Sequence, residues 1–250
     1  MEKKMIEQTM QHLRNMRLTG FIEALREQQE STQYSDLAFD ERLSLLVDRE
    51  HLRRKNNRLK SSLKQAHLKQ TASIDRIDFE VSRKLDKAKI LEFANGAWIS
   101  EKQNIIITGP TGAGKTFLAC ALADNACKSG LQSRYFRTHE FATEVMLARA
   151  DGSYPRFIDK LDKTKVLILD EWLRDPLTAS NSRLILDILD ERYQKNSNIF
   201  CSQIPVDKWF ELIEDPTIAD AILDRIIHNS HRINISGDSM RKKNASLRSD

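Results

Sequence analysis

The 250-residue chain predicts an α/β protein: a mostly parallel sheet with helices on both faces, preceded by a small all-helical segment. Two observations carry this reading. After Lys102, short apolar runs alternate with helix-length segments, the texture of parallel strands joined by crossover helices. Before Gln70 there is no proline and one glycine, Gly20, and apolar residues recur at helical spacing.

Composition narrows the class. With 40% hydrophobic and 30% charged residues, the chain is too apolar and too evenly charged to be disordered. Eight glycines and five prolines are too few for a fibre or linker. No apolar run approaches the ~18 residues of a membrane helix, and Met1 to Met10 has no signal-peptide core. Cys120, Cys127 and Cys201 form no CxxC pair, so a reduced, cytoplasmic chain without disulfide framework or zinc site is expected. In such a chain the Asn244-Ala245-Ser246 acceptor sequence carries no meaning. Trp98, Trp172 and Trp209 read as packing residues, and His139, His228 and His231 lack ligand geometry.

Taken in order, Leu13, Met16, Phe21 and Leu25 suggest a helix broken near Thr19-Gly20. Ser35 or Asp36 would cap the next, long helix, which carries Phe39, Leu43, Leu46, Val47, Leu52, Leu59 and Leu63. A linker is expected around Ser73 to Asp78 and a short helix near Lys87 to Asn95. Strands follow at Asn104 to Thr108, Ser133 to Arg137, Lys165 to Asp170, Ser197 to Ser202 and Arg232 to Ser236. Helices are expected at Lys115 to Lys128, His139 to Ala150, Ser180 to Gln194 and Thr217 to His228.

Gly109-Pro110-Thr111-Gly112-Ala113-Gly114-Lys115-Thr116 fits G-x-x-x-x-G-K-[ST] between a buried strand and a helix. Triphosphate oxygens need several backbone N–H donors converging on one point. Glycines let the chain wrap closely, and the helix adds its N-terminal dipole. Lys115 would reach the β- and γ-phosphates, and the Thr116 hydroxyl would ligate Mg²⁺. The nucleotide-binding set is Gly109 to Thr116, with Phe117 and Asp170. A glycine-rich turn of no function is the bland alternative. A dinucleotide fingerprint is excluded, because Lys115-Thr116-Phe117 follows Gly114.

Val166 to Leu169 is an apolar run ending in Asp170-Glu171. A central strand delivers such residues to the ligand crevice of an open sheet. Asp170 would hold Mg²⁺, directly or through water, leaving Glu171 to polarise the attacking water. A strand ending in charged loop residues would look the same in isolation.

The net charge of +4 conceals a local surplus. From Arg49 to Lys69 there are eight basic residues, among them Arg53, Arg54, Lys55 and Arg58, against one acid, Glu50. This helix could track DNA phosphates, or be a solvated face used for self-association or a protein partner. Aromatic residues are too sparse there for stacking on single-stranded bases, so duplex backbone contact is preferred.

Three segments carry a family resemblance: Ile106 to Thr116, Leu167 to Trp172 and Asp215 to Arg225, joined by Leu13 to Leu25 at the N-terminus. The chain resembles the AAA+ P-loop ATPases of the IstB/DnaC group, most nearly the IstB helpers of insertion-sequence transposases. The resemblance implies a sheet ordered 5-1-4-3-2 and ATP with Mg²⁺ held between subunits of a homo-oligomer. It also implies assembly on duplex DNA and recruitment of an IstA-type transposase, with no membrane role. A polar residue after the fourth strand would sense the γ-phosphate, here Ser202 or Gln203, unless these only end a solvated strand. Arg225 matches the arginine supplied by a neighbouring subunit, the alternative being a pair with Asp220 or Asp224; Arg232 and Arg241 are weaker nucleotide contacts. A second DNA surface would include Arg137, Arg149, Arg156 and Lys160 around a loop. Fourteen residues follow Ser236, too few for a helical lid domain.

The expected domains are 1–70, for DNA and partner contacts; 71–237, the ATPase; and 238–250, a basic flexible tail with Arg241, Lys242, Lys243 and Arg248. The competing functions are a replicative helicase loader, a small-molecule P-loop kinase and a non-hydrolysing scaffold. The kinase needs an acceptor pocket and an arginine-rich lid, and the sequence offers neither.

Overall fold

Central strands of a parallel sheet are buried on both faces, which is why Ile105-Ile106-Ile107 and Val166-Leu167-Ile168-Leu169 are unbroken apolar runs. In the computed structural model these form β1 (Asn104–Thr108) and β3 (Val166–Asp170). With β2 (Ser133–Arg137), β4 (Ser197–Ser202) and β5 (Ser230–Asn234) they make one sheet ordered β2-β3-β4-β1-β5. This is the expected 5-1-4-3-2 order read from the other edge, and every pairing is parallel. Ile106 lies opposite Phe200, and Ile168 opposite Ile199. The edges are the polar strands, Ser-Arg-Tyr-Phe-Arg and Ser-His-Arg-Ile-Asn.

Residues 2–79, 85–237 and 240 are described; Arg241, Lys242, Lys243, Arg248 and the Asn244 acceptor sequence lie outside them. The chain divides into two compact units, Met1–Ser61 and Ser62–Asp250.

Helix α1 (Glu2–Asn15) and α2 (Thr19–Glu30) begin the first unit, and α3 (Phe39–Ala66) runs past its end. Met10, Leu13 and Ile22 are its small core. The Glu50 carboxylate accepts from the Gly20 N–H at 2.7 Å and from Arg53 and Arg54, so this buried acid ties α3 to the start of α2. The long helix starts at Phe39, beyond the expected caps Ser35 and Asp36. The Glu41 carboxylate instead accepts from the Ala38 N–H at 2.9 Å.

In the second unit, side chains alternate between two cores as strand geometry requires. Ile105, Ile107, Ile168 and Ile199 pack with α4 (Lys87–Ala94), α5 (Ala97–Ser100) and α6 (Lys115–Lys128). Ile106, Leu167, Leu169 and Phe200 pack with α7 (Thr138–Ala150), α8 (Tyr154–Lys163), α9 (Ala179–Arg192) and α10 (Pro216–Ile227). Asp86, Thr178 and Asp215 cap α4, α9 and α10 with their side chains.

Three expectations are corrected. The stretch read as a linker, Ser73 to Asp78, contains a 3-10 turn at Ile74–Arg76, and Ala72 and Ile77 are buried in the first core. The segment read as a loop beyond Arg149 is largely the amphipathic α8, whose Pro155 sits in its first turn, where a missing N–H costs nothing. The last strand spans Ser230–Asn234 rather than Arg232 to Ser236.

Candidate nucleotide site

The loop after β1 is held by its neighbours. Gly109 N–H donates to Ser202 O at 3.3 Å, and Ile235 N–H to Thr108 O at 2.8 Å. This brings β5's exit so close that a Cβ on Gly109 would lie 2.2 Å from Ile235 O. Gly109 has φ 151°, Gly112 80° and Gly114 101°, conformations that L side chains rarely adopt. The loop opens α6, whose first-turn amides have no intrahelical acceptor and whose dipole favours an anion. Lys115 is buried, and its ammonium donates to Gly109 O at 2.7 Å and Pro110 O at 2.9 Å, so the cation sits over the loop.

Asp170, the last residue of β3, is 5% exposed. Its Oδ2 accepts from the Thr116 hydroxyl at 2.7 Å and the Tyr135 phenol at 2.8 Å, and its Oδ1 from the Glu171 N–H at 2.8 Å. Burial and the Asp170 charge push the Tyr135 phenol far above its ordinary pKa, so it stays a donor. A hydroxyl and a carboxylate meeting beside a phosphate-binding loop are the hard oxygen donors that suit Mg²⁺, which keeps waters and takes its remaining ligands from phosphate. Among the described residues no group of three or more His, Cys, Asp or Glu gathers to hold a metal by itself.

Glu171 leaves β3 in a left-handed conformation, φ 57°. Its Oε2 accepts from Arg174, and its Oε1 lies 3.7 Å from Arg137 Nε. The two sensor candidates separate. Ser202 is fully buried; its hydroxyl donates to Trp172 O at 2.7 Å and accepts from Ile204 N–H at 3.1 Å. Gln203 is exposed, and its Oε1 accepts from the Thr111 hydroxyl of the phosphate loop at 2.6 Å.

Arg225, on α10, pairs with Asp190 of α9 rather than Asp220 or Asp224, and Nη1 donates to Ala221 O at 2.8 Å. Its own carbonyl accepts from Asn104 at 3.2 Å. Asn104 begins β1 and the phosphate loop follows the end of β1, so Arg225 lies at the opposite end of the sheet from the loop of its own chain. Arg232 lies on the β5 edge, its carbonyl 3.2 Å from Lys89 Nζ.

The basic residues divide into engaged and exposed. Arg53 and Arg54 are bound to Glu50. Arg137 faces Glu140 and Glu171; Arg149 pairs with Asp187 at 2.5 Å and stacks over the Tyr154 ring. Lys55 and Arg58 on α3, and Arg156 and Lys160 on α8, are exposed.

A cavity of about 370 Å³ lies beside the loop, lined by Gly112, Gly114, Lys115, Thr116 and Phe117 and closed by Gln70, Arg76, Ile77, Asp78 and Met240. Its apolar walls, Ile77, Phe117 and Met240, suit a flat base. Sequence reasoning missed Ile77 and Met240; the only signal was the apolar pair Ile74 and Ile77 in a polar stretch. Met240, in the segment read as a tail, donates its N–H to Gly112 O at 2.9 Å. A more open hollow of about 600 Å³ lines α10 around Asp220, Asp224 and Arg225, away from the loop. The three cysteines are free and buried, and burial pushes the Cys120 thiol up to about 11. No described helix is long and apolar enough to cross a membrane.

Known proteins are similar to this chain along most of its length. The profile described as IstB-like ATP binding protein matches residues 11–248. The protein y4pL of Sinorhizobium fredii, named for ATP binding in an insertion sequence, is 39% identical over 234 residues, covering 94% of this chain and 96% of that one. The corresponding protein of insertion sequence IS1162 from Pseudomonas fluorescens is 40% identical over 202 residues, covering 80% and 87%. Among solved structures, the DnaC helicase loader shares the fold: TM-score 0.56 at 20% identity, covering 66% of this chain and 96% of the loader.

Proposed function

The chain belongs to the IstB-like ATP-binding protein family, with an AAA+ fold, and from that premise we propose that it is an ATP-hydrolysing switch. With ATP it assembles on duplex DNA and recruits the transposase of its insertion sequence; hydrolysis releases it. The observation that carries the reading is the 2.7 Å hydrogen bond from Thr116 to Asp170, which puts the phosphate loop and the acid pair in one crevice.

The α6 amides and Lys115 receive the phosphates, with Lys115 exchanging two loop carbonyls for phosphate oxygens. Thr116 and Asp170 would hold Mg²⁺, which when bound would supply positive charge against the phosphates. Glu171 takes the proton of the water that attacks the γ-phosphorus, as the bond from that phosphorus to the bridging oxygen breaks and ADP leaves. Gln203, linked to Thr111, fits the γ-phosphate sensor better than Ser202, whose hydroxyl is committed to backbone groups. Arg225 completes the site of a neighbouring copy, which its distance from its own loop supports. The exposed Lys55, Arg58, Arg156 and Lys160 supply DNA phosphate contacts.

Assembly on duplex DNA, followed by sedimentation with ATP and with ADP, tests the switch. Equal assembly with both nucleotides would sink it. Turnover tests the chemistry: hydrolysis by Glu171→Gln at the wild-type rate removes Glu171 as the base, and no hydrolysis by the wild type favours a scaffold. The fold shared with a helicase loader makes loading the second reading, and retention of a replicative helicase in place of the transposase would select it.

A further inference from the structure

We infer that Arg174 is a positioning residue for Glu171: it holds the Glu171 carboxylate in an ion pair that must open before water can be activated. The inference rests on Glu171 being the base. Both carboxylate oxygens face guanidinium groups, Oε2 bonded to Arg174 Nη1 and Oε1 at 3.7 Å from Arg137 Nε. A carboxylate accepting from arginine has the lone pair a water proton needs already engaged.

The surrounding backbone does not allow the pair to open by loop movement. Glu171 and Leu173 both have left-handed φ, 57° and 55°, and Arg174 N–H closes the turn on Glu171 O at 3.1 Å. Between them Trp172 is fully buried, its N–H bonded to Cys201 O at 2.8 Å and its carbonyl to the Ser202 hydroxyl at 2.7 Å. Both main-chain groups of Trp172 are thus fixed to β4, and release has to come from rotation of side chains. Arg174 is free to make it, with 46% of its side chain exposed. Its Nε and Nη2 already hold Asp175 Oδ2 at 3.1 and 2.9 Å. The guanidinium bridges Glu171 and Asp175, and rotation away from Glu171 would leave it resting on Asp175 alone.

The test compares Arg174→Gln, Arg174→Lys, Glu171→Gln and the Arg174→Gln/Glu171→Gln double variant in full-length protein. ATP turnover is measured with Mg²⁺, and nucleotide affinity with a fluorescent ADP analogue. Arg174→Gln should raise kcat about two- to fivefold, the scale of a partly exposed ion pair, with affinity for the analogue unchanged. Arg174→Lys, which keeps the charge without the fork, should fall between it and wild type. The double variant should be as inactive as Glu171→Gln. An unchanged or lower kcat in Arg174→Gln, with Glu171→Gln inactive, overturns the inference while leaving the base in place. Wild-type turnover by Glu171→Gln overturns the base and the inference with it. Melting curves verify folding, and if Arg174→Gln does not fold, the direction of change in Arg174→Lys decides.

Discussion

Arg192→Met sets two large terms against each other. Arg192 ends α9 with no exposed surface. Its guanidinium donates to Asn198 Oδ1 at 2.7 Å, Leu161 O at 2.8 Å, Thr164 O at 3.0 Å and Ser197 O at 2.9 Å. It thus joins the end of α8 to the start of β4. All four acceptors are neutral, and burial draws the pKa of the guanidinium down to about 9. Methionine keeps much of the apolar stem and removes every donor. Leu161 O keeps the Thr164 N–H at 3.0 Å, so up to three buried acceptors are left unpaired, which at about 1–3 kcal/mol each would cost about 3–9 kcal/mol. Against that, methionine spares several kcal/mol of cation desolvation. The balance expected is a loss of about 4 kcal/mol. Urea unfolding followed by tryptophan fluorescence reads it, because Trp98, Trp172 and Trp209 are all buried in the second unit. At an m-value of about 2–3 kcal/mol/M the midpoint should fall by about 1.3–2 M. Arg192→Lys, which can replace only some of the bonds, should lose about half as much. A shift below about 0.3 M at unchanged m would mean that desolvation cancels the hydrogen bonds, and would refute the reasoning.

The Glu50 carboxyl is drawn from 4.5 down to about 2, first by the Arg53 hydrogen bond, then by Arg54 and the Gly20 and Phe21 amides, against the opposing effect of burial. A depressed carboxyl stabilises above its ordinary pKa and loses that contribution as pH falls from about 4.5 towards 2. With Arg54 half-exposed, the loss in the first unit should be about 1–2 kcal/mol. Helix melting by circular dichroism at pH 5 and pH 3 measures it, and an equal acid loss in Glu50→Gln would contradict it. Gly109→Ala forces a Cβ to within 2.2 Å of Ile235 O. It should weaken nucleotide binding at least about tenfold or cost several kcal/mol; a variant normal in both melting and binding would disprove the close packing. Ser202→Ala should cost about 1–2 kcal/mol with turnover retained, whereas Gln203→Ala should slow turnover about tenfold with stability retained. The reverse pattern in melting and turnover assays would return the sensor role to Ser202.

The elements that could be read from sequence are those whose patterns are local. Ile105-Ile106-Ile107 and Val166 to Leu169 announce central strands because both faces are buried, and the glycines of 109–114 announce backbone that must wrap a ligand. The elements missed depend on distant partners. Ile77 sits in a polar stretch and becomes core only because α6 is there to receive it. Gly152, Ser153 and Pro155 resemble a loop, yet proline is at home in a first helical turn, and Phe157 and Leu161 bury the face that follows. Arg192 carries no mark in the sequence that sets it apart from other basic residues, and no sequence signal places four acceptors around it. The surplus of seven on the Arg49 to Lys69 segment counts Arg53 and Arg54 as available, although Glu50 binds both. In the site, the motif residues were legible as types; that Glu171 is gripped by Arg174 and Arg137 was not.

The position of Arg225, at the far end of β1 from the phosphate loop, also sets a stoichiometry. Under the proposed trans contact each copy has a donor end and an acceptor end, and the count of complete sites depends on whether copies join as a twofold pair, which completes both, or head to tail. An open row of n copies then contains n − 1 complete sites, and a closed ring contains n. A head-to-tail pair works at half capacity and longer rows approach full capacity, so in that arrangement turnover per chain becomes a measure of assembly length.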